Sequence, residues 1–78
     1  SNYHILTKPF VIEIDASNGG IDTVLQQDSY LIAYLSKALS TKNLGLSVYE
    51  KELMALVLAM TKWRHYLVGH HFIIRTDH

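Results

Sequence analysis

Three acidic side chains occupy positions where chemistry is possible. Asp15 ends the apolar phrase FVIEID at 10–15, Asp77 ends its near-copy FIIRTD at 72–77, and Glu52 follows the helix-start signal SVYE at 47–50. Laid side by side as neighbouring parallel strands, about 4.8 Å apart, the two phrases match Phe10 with Phe72, Val11 with Ile73, Ile12 with Ile74, Glu13 with Arg75 and Asp15 with Asp77. Two carboxylates that close repel unless a cation bridges them. Mg²⁺ takes carboxylate and water oxygens, and paired metals held this way activate a water and stabilise the leaving oxygen of a phosphodiester. A plainer reading stands beside this one, in which Asp15 and Asp77 merely terminate strands and Glu52 is a solvated helix residue.

The elements that must position these groups are legible as periodicities. Residues 9–15 alternate, with Phe10, Ile12 and Ile14 on one face and Val11, Glu13 and Asp15 on the other, and the turn ASNGG follows. Residues 20–27 and 30–36 are β-prone and separated by Asp28 and Ser29, which predicts a hairpin whose turn residues specify register weakly. Ser47 and Glu50 form a capping box that starts a helix over about 47–67. Lys62, Arg64 and His65 enrich its last turns, and Gly69 stands just past its end. Residues 71–77 give the last strand. The helix supplies the long crossover that parallel pairing needs.

At ~100° per residue, Tyr49, Leu53, Leu56, Val57, Met60, Trp63 and Leu67 collect into one stripe, expected to face the sheet. Met54 and Leu58 then fall on the solvent side. They read either as scattered surface apolar residues or as a face that lacks its cover. Glu50 and Glu52 lie about 200° apart, so one of them at most faces the aspartates. Glu50 is accounted for by capping. Glu52, at the stripe's margin, is the third ligand this geometry selects.

Composition sets outer limits. A chain of 78 residues with 49% hydrophobic and 18% charged content is one globular domain at most. No cysteine means no disulfide and no thiolate chemistry, in keeping with a reducing, intracellular setting, cytoplasmic or nuclear rather than secreted. The longest apolar run, LMALVLAM, has eight residues, well short of the ~20 that span a bilayer, so no membrane partner is expected. Formal net charge is zero, so any nucleic-acid contact must come from local basic groups or bridging metal. Ser17, Lys62, Arg64 and Arg75 are the candidate contacts of that kind, with His65 beside them, although a basic last helical turn is equally expected from the helix dipole. A zinc site at His65, His70 and His71 is disfavoured, because adjacent strand residues point to opposite faces. No spacing marks a serine-nucleophile triad.

The segments PFVIEIDAS, IAYLSKALS and LSVYEKELMALVLAMTKWRHYLVGHHFIIRTDH resemble the ribonuclease H domain of reverse transcriptases from gypsy-type long-terminal-repeat retrotransposons, plant ones in particular. The resemblance covers about residues 8–78. It implies a mixed α/β, ribonuclease H-like fold: three antiparallel strands, one long helix, then a fourth strand parallel to the first. It implies Asp15, Glu52 and Asp77 as catalytic and metal-binding residues, Mg²⁺ as cofactor with Mn²⁺ as substitute, and an RNA–DNA hybrid as substrate. The family hydrolyses the RNA strand by two-metal-ion catalysis. It reads the hybrid by backbone shape and the 2′-OH.

Two departures stand out. Family domains continue beyond TDH with another strand and helices, one of which carries a fourth acidic ligand. Residues 1–78 therefore read as a partial domain, weakly active or inactive alone, whose partner is the remainder of the reverse transcriptase polyprotein. The alternative is a non-catalytic, retroelement-derived interaction or assembly module, with self-association through an open strand edge. The second departure is at Asp22 and Thr23, where the family has small residues such as Gly-Ala. Asp22 either faces solvent or disturbs the approach of substrate.

Overall fold

The computed structural model describes residues 8–17 and 19–77; Asn18, inside the expected turn, lies outside them. Strand β1 (Phe10–Ala16) is followed by β2 (Gly20–Gln27), β3 (Tyr30–Ala38), α1 (Val48–Lys62), α2 (Arg64–Leu67) and β4 (Phe72–Thr76). The sheet order is β3-β2-β1-β4, with β1 antiparallel to β2 and parallel to β4. The parallel register is the one the repeated phrase predicts: Phe10 pairs with Phe72, Val11 with Ile73, Ile12 with Ile74 and Glu13 with Arg75.

Alternation decides which face of the sheet is dry. Phe10, Ile12 and Ile14 of β1 and Ile21, Thr23 and Leu25 of β2 are buried on the helix side. Thr23 is tolerated there because its hydroxyl donates to the Leu35 carbonyl at 3.4 Å. Gly20 is required for a local reason: a Cβ there would stand 2.8 Å from the Lys37 carbonyl oxygen across the hairpin. The two-residue turn places Asp28 and Ser29 at φ 52° and 67°. This is the left-handed pair that matches the twist of a hairpin, reached here without glycine.

The helix differs from expectation in two ways. It is interrupted at Trp63, whose φ of −106° and ψ of 23° close α1 and open α2. Its indole enters the core at the break. The buried face is also turned about a quarter of a revolution from the predicted stripe. Ala55, Ala59 and Trp63 meet the sheet, while Leu53, Val57 and Met60 are 61%, 55% and 40% exposed and Tyr49 is more exposed still. Met54 and Leu58, expected on the solvent side, pack partly buried against the core. The physical reason is that LMALVLAM is apolar nearly all round, so periodicity selects no single face. Alanines let the helix backbone approach the sheet closely, and larger side chains would hold it away. Gly69, at φ 76°, takes the left-handed position just past α2, as predicted.

The capping box forms as its residues require. The Glu50 N–H donates to Ser47 Oγ at 3.1 Å, and the Ser47 N–H donates to Glu50 Oε1 at 3.0 Å. The backbone N–H of Ser47, then its hydroxyl, hold the Glu50 carboxyl below its ordinary value of 4.5. A depressed carboxyl favours the charged form in the folded state. Its stabilisation is therefore complete above pH 4.5 and lost as pH falls through the lower folded value. Glu50→Gln should flatten the acid limb of a melting-temperature profile below that pH; an unchanged limb would remove Glu50 as its source. Ser29→Gly should stabilise the hairpin by about 1 kcal/mol in urea denaturation, because glycine relieves the left-handed strain.

Candidate active site

The site is built from the ends of two strands and the start of one helix. Ile14 and Thr76 are the last registered pair of β1 and β4, and Asp15 and Asp77 each follow by one residue. Glu52 lies in the first turns of α1, two residues beyond the capping Glu50. Asp15, Glu52 and Asp77 all line one depression of about 520 Å³, together with Ser47 and Tyr49. Glu52 is not at the margin of the buried face, as its sequence position suggested, but within it, at 8% exposure. Asp15 and Asp77 are exposed. The predicted three residues thus come from three elements to one concavity.

A second depression of about 320 Å³ opens on the face of the sheet away from the helix, and Asp15 and Asp77 line it too. Glu13, Asp22 and Arg75 complete its charged wall. Asp22 is the registered partner of Asp15 across β1 and β2, and Ser36 of β3 donates its hydroxyl to the Asp22 carboxylate. Arg75 Nη1 stands 3.5 Å from Glu13 Oε1, and Gln26 donates its side-chain amide to the same carboxylate. Asp22 is therefore part of the acidic end of the sheet, which its position after ASNGG could have indicated once the hairpin register was known.

Other predicted contacts are spread out. Ser17 lies in the turn after β1, where its N–H donates to the Gly20 carbonyl at 2.9 Å, and it lines neither depression. Lys62 ends α1 and Arg64 begins α2, a helix length of roughly 20 Å from the carboxylates. Arg64 lines a separate apolar depression with Met60, Leu67 and Phe72. His65 packs on Tyr66 and His70 packs edge-on to Phe10. Among the described residues no group of three His, Cys, Asp or Glu is close enough to hold one metal ion, at the histidines or at the carboxylates.

Comparison with known proteins decides the family. The model of the RNase H-like domain found in reverse transcriptase matches residues 5–78. The chain belongs to that family. It is 44% identical over 71 residues to the retrovirus-related Pol polyprotein from transposon 297 of Drosophila melanogaster, covering 91% of this chain and 7% of that polyprotein. It is 35% identical over 79 residues to the transposon Tf2-3 polyprotein of Schizosaccharomyces pombe, covering 92% of this chain and 6% of that one. The chain thus spans less than a tenth of each of these relatives. Among solved structures, the foamy viral protease-reverse transcriptase in complex with dsDNA superposes with a TM-score of 0.77 at 20% identity, over 97% of this chain and 16% of that one. The native prototype foamy virus protease-reverse transcriptase gives 0.77 at 21% identity, over 88% and 10%. These likenesses confirm the RNase H-like fold. No helix among the described residues is long and apolar enough to cross a membrane.

Asp15 and Asp22, like charges on registered cross-strand positions, should repel. Asp22→Asn removes that repulsion and keeps an acceptor for Ser36. Denaturation at low ionic strength should find it more stable by about 0.2–1 kcal/mol, with the gap closing in high salt. A variant no more stable at low salt would show that Asp15 does not feel Asp22.

Proposed function

We propose that this chain carries Asp15, Glu52 and Asp77 of the active site of a gypsy-type retrotransposon reverse transcriptase's ribonuclease H domain, which hydrolyses the RNA strand of an RNA–DNA hybrid. The observation that carries the reading is the shared depression. Three carboxylates, from β1, from α1 and from the residue just past β4, line it in a chain of this family. Three carboxylates are a hard-oxygen donor set, the chemistry that suits Mg²⁺, with Mn²⁺ as substitute. A divalent ion, when bound, supplies positive charge to the phosphodiester and acidifies a bound water.

The chain's own groups do the positioning. Asp15 and Asp77 are held at adjacent strand ends by the β1–β4 ladder, and the Glu52 stem is fixed in the buried face of α1. The rest of the reverse transcriptase polyprotein is the natural partner, since the relatives are polyproteins of which this chain spans 6–8%.

A second reading has its own support. Leu53, Val57 and Met60 form an exposed apolar stripe, Ile73 and Ile74 of edge strand β4 are exposed, and the described residues hold no three-ligand cluster. On that reading the chain is a non-catalytic interaction or assembly module that self-associates through β4.

A Mn²⁺ titration of the ¹⁵N-labelled chain discriminates between them. Paramagnetic broadening confined to the surroundings of Asp15, Glu52 and Asp77, and abolished by Asp15→Asn, is the expected result. Absence of a site at millimolar metal, together with a concentration-dependent dimer in light scattering, would sink the nuclease reading and leave the second.

A further inference from the structure

Tyr49 has the highest exposure of the large apolar side chains described, at 83%. The core does not use it, and Tyr30 and Tyr34, exposed to 75% and 69%, do not share its position. Tyr49 lines the depression that Asp15, Glu52 and Asp77 share. Its backbone is fixed in the first turn of α1 between the two halves of the capping box, Ser47 and Glu50. It precedes Glu52 by three positions, so the two side chains stand on neighbouring rows of the helix, with Cβ atoms about 5–6 Å apart. Among the described residues no hydrogen bond engages its phenol.

We propose that Tyr49 reads the sugar of the nucleotide beside the scissile phosphate. Its phenol hydrogen-bonds the ribose 2′-OH, and its ring packs on that sugar and base. The inference rests on the hybrid-cleaving reading above and assigns it a specificity residue. The chemistry is matched: a 2′-OH both donates and accepts, as does a phenol, and only the RNA strand carries it. An aromatic ring adds a stacking surface that tolerates any base. Leu53 and Val57 continue the exposed stripe from Tyr49, which raises a protein contact as the competing use. Neither of them lines the carboxylate depression, and neither carries a polar tip.

The test is fluorescence anisotropy with a labelled RNA–DNA hybrid and a DNA duplex of the same sequence, using Ca²⁺ as the divalent ion, for the wild-type chain, Tyr49→Phe and Tyr49→Ala. Circular dichroism confirms that each variant is folded. Wild type should prefer the hybrid. Tyr49→Phe should lower that preference about fivefold while keeping duplex affinity, as expected for loss of one hydrogen bond. Tyr49→Ala should weaken binding to both about tenfold. A wild-type preference that survives intact in Tyr49→Phe overturns the sugar-reading role alone. Unchanged affinities in Tyr49→Ala assign the ring to a protein contact instead. A wild-type chain without preference for the hybrid overturns both this inference and the reading it rests on.

Discussion

The parallel pairing of β1 with β4 is the constraint on which the rest depends. Parallel neighbours cannot be joined by a tight turn, and β3 and β4 lie at opposite edges of the sheet, so the chain must leave the sheet after β3, cross its face and re-enter beside β1. The crossover is α1 and α2, and their path is set by how closely a helix can lie on the strands. Ala55 and Ala59 make that approach close, and Trp63 fills the space where α1 breaks. Once the helix lies there, its N-terminus stands over the carboxyl ends of β1 and β4. Glu52 then lines the same depression as the two aspartates.

The same geometry separates stability from chemistry. The helix-facing side of the sheet is almost wholly apolar, and the core is built from it. The opposite face carries charge in cross-strand rows: Ser36, Asp22 and Asp15 in one, Val24, Glu13 and Arg75 in the next. Arg75 of the second row and Gln26, two residues beyond Val24 on β2, answer the Glu13 carboxylate. In the first, Ser36 offers a neutral hydroxyl to Asp22, and that row continues towards Asp77 with more negative charge. An excess of like charge at a strand end weakens a fold slightly and is the arrangement expected where a cationic group is to be received.

Much of this was legible in the residues. The shared pattern of FVIEID and FIIRTD, identical at three of six positions, carries the register of the parallel pair, because strands that share two faces must share their alternation. The Ser47 and Glu50 spacing marks where α1 begins, and Glu50's commitment to the cap leaves Glu52 for the aspartates. The hairpin turn was less clear, since Asp28 and Ser29 are weak signals for the left-handed pair they adopt. The face of α1 was not legible. Its large apolar residues form the richest stripe, but the structure buries the alanines and exposes Leu53, Val57 and Tyr49.

Local chemistry therefore determined strands, the helix cap and the parallel register, because alternation, capping and repeated phrases act between residues near in sequence or paired one to one. Which side of a uniformly apolar helix meets the sheet, where it breaks and which groups share a concavity were decided only in three dimensions. Those outcomes depend on how closely two surfaces can approach. Side-chain volume opposite side-chain volume sets that distance, and no periodicity along one chain records it.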